Sequence, residues 1–168
     1  YKRQSMKQKY KTGEVLSPGT VIISATAEVS DVSKCVEPFF KKFNSNIYYI
    51  DMSSCVLNLG GSALMQSNNK IGNKSNDILN AKYFKKVFNV IQKLITDEKI
   101  YSGHDVSSGG LITTILEMSF VSSGIGLELF LNEFDENDLI KILFAENHAL
   151  VIDCLLYTSP SPRDSSQS

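Results

Sequence analysis

The residues best suited to chemistry lie in one stretch, His104-Asp105-Val106-Ser107-Ser108-Gly109-Gly110, where a carboxylate and two hydroxyls stand just ahead of paired glycines. Residues 99–106 read as a short strand. Leu111, Ile112, Ile115, Leu116 and Met118 recur at helical spacing, so the cluster falls where a strand turns into a helix. The first N–H groups of a helix are positively polarised, and glycines let a ligand approach the backbone closely. A carboxylate such as Asp105 can hold Mg²⁺, which offsets the repulsion between carboxylate and phosphate. That combination would suit phosphate binding, with Asp105 as metal ligand and the backbone at Gly109 and Gly110 close to the phosphates. A plainer reading stays open beside it: the lysine of a Walker loop is missing, Ser107 could be an N-cap and Gly109 a close packing contact.

Other candidates carry less. His104 beside Asp105 invites a general-base reading, but neighbours on a strand point to opposite faces, which favours a structural histidine. Glu117, on the helix after the glycines, could reach a second metal position or be solvated. Leu59-Gly60-Gly61-Ser62 reads first as a tight turn. Glu146, Asn147 and His148 could line a pocket or a surface. Cys35 and Cys55 have no neighbouring base and read as packing residues, and no cysteine spacing defines a zinc site or a disulfide framework. This usage fits a reducing, cytoplasmic setting.

These residues need elements to hold them. After Ser17-Pro18-Gly19, the β-branched run at 20–28 reads as a strand. Asp31 and Ser33 offer capping chemistry to a short helix limited by Pro38. Residues 47–51 read as a second strand, leading through Gly60 and Gly61 into a helical turn, and the polar stretch 68–76 as a loop. Phe84, Val87, Phe88, Ile91, Leu94 and Ile95 mark an amphipathic helix whose other face carries Lys85, Lys86, Asn89, Gln92 and Lys93. A further strand is expected from Gly124-Ile125-Gly126, a helix capped by Asp135 and running to Leu143, and a last strand at 149–152. Alternating helices and strands argue for an α+β fold of layered α/β type.

The 168 residues carry 17 Lys+Arg against 18 Asp+Glu, a net charge of −1, and are 42% hydrophobic, as suits one domain or two small lobes. No global field draws in a polyanion, which disfavours nucleic acid as a partner. No apolar run approaches the roughly 20 residues that a membrane-spanning helix needs. Five cations and no anion occupy 1–11, a run read as a protected strand edge rather than a phosphate-binding arm. Both ends look cut. The sequence opens without Met, and 154–168 resembles a translated sequencing adapter, the alternative being a Ser/Pro-rich disordered tail. Neither reading gives Cys154, Pro160 or Pro162 any chemistry, and loss of Arg163 and Asp164 leaves the charge balance unchanged. The expected organisation is 1–45 as the end of one lobe, 46–153 as an α/β lobe, and 154–168 as a non-native tail.

Three blocks occur in order: Ser5-Met6-Lys7 followed by Ser17-Pro18 and Val21-Ile22-Ile23-Ser24-Ala25; Leu59-Gly60-Gly61-Ser62-Ala63-Leu64; and 103–111 running into Leu116-Glu117-Met118-Ser119-Phe120. Together they resemble the phosphoribosylformylglycinamidine synthase family, specifically the second aminoimidazole-ribonucleotide-synthetase-like half of its large single-chain form, over roughly 5–153. The resemblance implies an α/β C-terminal lobe joined to a terminal strand of a barrel-forming N-terminal lobe. It implies a cytoplasmic, ATP- and Mg²⁺-dependent amidotransferase of de novo purine synthesis, which makes formylglycinamidine ribonucleotide from formylglycinamide ribonucleotide and glutamine. The implied cofactors are ATP or ADP with Mg²⁺; the implied partners are a companion synthetase-like half and a glutaminase domain.

By the same resemblance, Asp105 matches the family's Mg²⁺-binding aspartate and Ser107 the serine beside the nucleotide phosphates. The family's usual aspartate before the paired glycines is Ser108 here, and its Glu-Glu-Leu-Gly reads Glu146-Asn147-His148-Ala149. The other metal ligands would precede Tyr1 and the glutaminase residues would follow Asp153, so no catalytic residue is assigned and this stretch alone is expected to be inactive. A nucleotide-stabilised structural module without turnover is the alternative. Selenophosphate synthetase and thiamine-monophosphate kinase share the architecture and form a third reading; a plain interaction domain is a fourth.

Overall fold

The computed structural model describes residues 7–16, 23–41, 45–121, 124 and 126–154. The chain divides into two compact units, Tyr1–Val32 and Ser33–Ser168. In the first, β1 (Lys7–Tyr10) and β2 (Gly13–Leu16) form an antiparallel hairpin with Lys7 opposite Leu16 and Tyr10 opposite Gly13. The strand expected at 20–28 is not found where the chain is described. Residues 20–22 lie outside the described residues, and 23–28 are exposed and without regular structure, Ile23 being 87% exposed. β-branched side chains favour an extended backbone but do not make a strand without a ladder partner.

The second unit is built on a three-stranded antiparallel sheet in the order β3-β5-β4, from β3 (Asn46–Asp51), β4 (Ile100–Val106) and β5 (Ala149–Cys154). The helices are α1 (Ala63–Ser67), α2 (Ala81–Thr96), α3 (Gly110–Phe120) and α4 (Leu139–Phe144). Central β5 shows why the unit is layered. Its alternate residues Ala149 and Val151 join Leu111, Ile115 and Met118 of α3 and Ile142 of α4 in one core cluster. Leu150, Ile152 and Cys154 lie in the other, with Ile91, Val87, Leu94 and Ile95 of α2. Period-two alternation thus directs β5 into two apolar layers, one on each face of the sheet.

The amphipathic stripe read from 84–95 forms α2, entered at Asn80, whose side chain accepts a hydrogen bond from the Tyr83 N–H at 3.0 Å. Tyr83 in turn donates its hydroxyl to the Asp51 carbonyl, fastening α2 to the end of β3. Three expectations change. The segment 126–130 is not a strand: Leu127 and Leu131 pack on the α3 cluster from irregular chain, so their apolar surface is buried without a ladder. Residues 122, 123 and 125 lie outside the described residues. The cap of the next helix is Asp138 rather than Asp135, because Asp138 directly precedes Leu139 and its Oδ1 accepts from the Ile140 N–H at 3.0 Å. The helix proposed after Asp31 and Ser33 is one 3-10 turn, Val32–Lys34.

β5 also runs past the expected boundary at Asp153. Cys154 lies opposite Asn46 and Ile100 and is 4% exposed, so it is a core residue of the sheet rather than the start of a tail. Residues 155–168, including Pro160 and Pro162, lie outside the described residues.

Candidate functional site

The corner between β4 and α3 brings together the residues singled out from sequence. Asp105 is the penultimate residue of β4, and its side chain is 71% exposed. Its backbone carbonyl accepts from Thr114 Oγ1 at 3.3 Å, so the main chain is tied to α3 while the carboxylate faces solvent. Ser107 and Ser108 are both exposed. The Ser107 carbonyl, not its hydroxyl, closes the turn by accepting from the Gly110 N–H at 3.0 Å. The N-cap is Gly109, with no side-chain cap, so the N-cap reading of Ser107 does not hold and its hydroxyl is left facing outwards.

Packing alone demands both glycines. Gly109 has φ 91° and Gly110 φ 73°, conformations in which other residues are strained. A Cβ on Gly109 would run into the Thr113 side chain, and one on Gly110 would sit 2.7 Å from the Leu143 carbonyl oxygen at the end of α4. The close contact expected at Gly109 is thus found, and Gly110 makes one as well.

Glu146 is the residue that sequence reasoning undervalued. Its Oε1 accepts from the Gly109 N–H at 2.8 Å and from the Ala63 N–H at 2.7 Å. One half-buried carboxylate thereby joins the β4–α3 corner to the first residue of α1, immediately after Leu59-Gly60-Gly61-Ser62. The protein's own anion occupies an amide that the sequence offered to phosphate. The N–H of Gly110 is likewise committed to Ser107, so what the corner presents to solvent is chiefly the Asp105 carboxylate and the two serine hydroxyls. A spacing of 37 residues between Gly109 and Glu146 carries no local signal. Only the position of a carboxylate between a helix and the last strand hinted at it.

His104 and Asp105 do meet, against the expectation from strand alternation. Nδ1 of His104 lies 2.7 Å from the Asp105 carbonyl oxygen and 3.5 Å from Oδ1, and Nε2 lies 3.4 Å from Glu117. The ring turns along the strand toward its neighbour, with Glu117 from α3 on the other side. This favours the structural role for His104. Among the described residues, no three His, Cys, Asp or Glu side chains converge as a metal site, so Asp105 would need ligands from elsewhere.

Ser62 caps α1, accepting from the Met65 N–H at 3.4 Å and donating to the Leu59 carbonyl at 2.7 Å, so the paired glycines there do form a turn opening a helix. Asn147 is fully buried and donates to Ser53 Oγ at 3.2 Å and to the Cys55 carbonyl at 3.0 Å. Ser53 continues the chain to Asp51 Oδ1 at 2.6 Å. His148 is exposed, and its carbonyl accepts from the Met52 N–H. Together these bonds hold the end of β3 against the start of β5. Burial, followed by the charge of Asp51, pushes the Tyr49 hydroxyl well above the usual phenol range. Cys55 is half-buried, but Cys35 is exposed and is not a packing residue.

A sheet covered by helices on both faces, with a strand–glycine–helix corner presenting a carboxylate, makes this unit a layered α+β lobe. Residues 47–154 match the family described as AIR synthase related protein, C-terminal domain, and the chain belongs to that family. It is 38% identical over 145 residues to the probable phosphoribosylformylglycinamidine synthase, chloroplastic/mitochondrial, of Arabidopsis thaliana, covering 84% of this chain and 10% of that protein. It is 37% identical over 155 residues to the probable phosphoribosylformylglycinamidine synthase of Caenorhabditis elegans, covering 84% and 12%. With the phosphoribosylformylglycinamidine synthase of Homo sapiens it shares 34% identity over 151 residues, covering 89% and 11%. The chain thus spans about a tenth of the length of these relatives. Among the described residues, no helix is long and apolar enough to cross a membrane.

Proposed function

We propose that the chain is the Mg-nucleotide-holding lobe of a glutamine-dependent ligase of de novo purine synthesis. In this reading the whole enzyme is cytoplasmic and converts formylglycinamide ribonucleotide to formylglycinamidine ribonucleotide. The observation that carries the proposal is the exposed Asp105 carboxylate beside the exposed hydroxyls of Ser107 and Ser108, at a corner fixed by α3 and α4 packing. Hard oxygen donors of this kind suit Mg²⁺, and the fit is partial, because Glu146 already holds the Gly109 amide. Asp105 would ligate the ion and Ser107 would donate its hydroxyl to a phosphate oxygen. The bound ion would supply the positive charge that lets a carboxylate and a phosphate share the corner. The remaining ligands, the amide-bearing substrate and the ammonia source belong, in this proposal, to a companion synthetase-like half and a glutaminase domain.

A second reading has its own support: with Ser108 in the place of the family's usual aspartate, the site has one carboxylate fewer and suits a nucleotide that is held rather than turned over. Asp105→Asn is expected to weaken Mg-ATP or Mg-ADP binding by about 10- to 100-fold in calorimetry, the range seen when metal-supporting residues are lost. Unchanged affinity would remove Asp105 from the site. ADP that copurifies with the intact enzyme and does not exchange during turnover would select the structural reading, and rapid exchange the catalytic one.

A further inference from the structure

A cleft of about 680 Å³ opens beside Leu59 and Gly60, and its lining includes Lys70, Lys74 and Lys141 but, among the described residues, no Asp or Glu. That is unusual local chemistry for a chain whose net charge is −1. The cleft does not include Asp105 or Ser107, so it is separate from the β4–α3 corner.

The loop that carries two of these lysines is held in place rather than trailing. The Gly60 N–H donates to the Lys74 carbonyl at 2.8 Å, the Gly61 N–H to the Ile71 carbonyl at 2.7 Å, and the Lys70 N–H to the Met65 carbonyl at 2.9 Å. Asn58 and Asn76 exchange two further bonds, each at 2.9 Å, by pairing side-chain amide with backbone. Gly60 and Gly72 let the two segments touch: a Cβ on Gly72 would lie 2.8 Å from the Gly60 Cα. The main chain that carries Lys70 and Lys74 is thus pinned beside one cleft. Lys141 is partly neutralised, since its ammonium lies 2.9 Å from Glu136 Oε2 on α4's approach and that contact pushes the lysine pKa up. The uncompensated charge in the cleft therefore comes from Lys70 and Lys74.

We propose that this cleft binds an oligophosphate chain, either free or as the tail of a nucleotide. Flexible ammonium groups are point-charge donors suited to several phosphate oxygens at once, and two of them on one loop favour a ligand with more than one phosphate. No carboxylate in the lining calls for a bridging metal, so the site works without Mg²⁺, in contrast to the Asp105 corner.

The test is calorimetric titration of the chain with sodium tripolyphosphate at low ionic strength with a chelator present. Saturable binding is expected, weakening as salt is raised to about 0.15 M, where screening shortens to about 8 Å. The double variant Lys70→Ala/Lys74→Ala is expected to bind at least about tenfold more weakly, the loss expected for one charged hydrogen bond, while Lys70→Arg/Lys74→Arg retains binding. Asp105→Asn is expected to leave this binding unchanged even if it abolishes Mg-nucleotide binding, so the two sites stand or fall separately. Metal-free ATP that competes for the cleft identifies a nucleotide tail, and tripolyphosphate binding without such competition identifies a free oligophosphate. Absence of saturable binding at low salt, equal affinity in the double alanine variant, or loss of binding with Asp105→Asn would each overturn the proposal.

Discussion

Glu146 shows how much one side chain can decide. Its Oε1 satisfies two backbone donors, at Ala63 and Gly109, that belong to turns far apart in sequence. Removing that acceptor leaves both N–H groups without it at a half-buried position, at a cost of about 1–3 kcal/mol for each donor left unsatisfied. Glu146→Ala is therefore expected to destabilise the fold by about 2–6 kcal/mol in urea denaturation. Glu146→Gln keeps an amide oxygen in the same place and is expected to cost about 1 kcal/mol, because a neutral acceptor replaces a charged one. Equal losses for the two variants would mean that the carboxylate acts through its charge alone; no loss for alanine would mean that water replaces it without penalty. The residue also sets a limit on the nucleotide reading: a phosphate at the Gly109 amide would have to displace Glu146, whereas one held by Asp105 through Mg²⁺ and by Ser107 would not.

Between elements, the decisive contact is the start of α3 against the end of α4. Gly110 combines φ 73° with a would-be Cβ 2.7 Å from the Leu143 oxygen, a backbone atom that cannot swing aside. Gly61 offers a built-in comparison, since it has a similar φ of 77° but nothing within 4 Å of its Cβ. Gly61→Ala should cost about 1–2 kcal/mol, the left-handed strain alone. Gly110→Ala adds forced separation of α3 from α4, for about 1–3 kcal/mol more. Paired unfolding curves measure the difference directly, and matching values would show that the α3–α4 contact yields easily. This contrast also marks what was legible in the sequence. Both glycine pairs were visible as turns, because glycine before an apolar helix is a local signal, and α2 was visible because its stripe repeats within four turns. The irregular path of 126–130, the cap at Asp138 and the bond from Glu146 to Gly109 were not, since each depends on which distant element happens to lie alongside. The unpaired course of 23–28 was missed for the converse reason: its composition is strand-like, and composition contains no information about a partner.

For the molecule as a whole, ligand binding and stability are linked, which allows the two proposed anion sites to be separated without any assay of turnover. A ligand at 100 times its dissociation constant stabilises the folded state by about 2.7 kcal/mol. In a protein of roughly this size each kcal/mol moves the melting temperature by about 2–4 °C, so a saturating ligand should raise it by about 5–11 °C. The Mg-nucleotide reading predicts a rise with Mg-ADP that at the same ligand concentration falls to about half or less in Asp105→Asn and is kept in the Lys70→Ala/Lys74→Ala variant. Tripolyphosphate with a chelator should give the reverse pattern, with the rise cut to about half or less in the double lysine variant and kept in Asp105→Asn. Both ligands should act on the same transition, because the Asp105 corner opens α3 and the cleft is lined by Lys141 of α4, and α3 and α4 share one core cluster. A melting curve that splits into two steps, with each ligand moving only one of them, would show that the segments bearing the two proposed sites unfold independently.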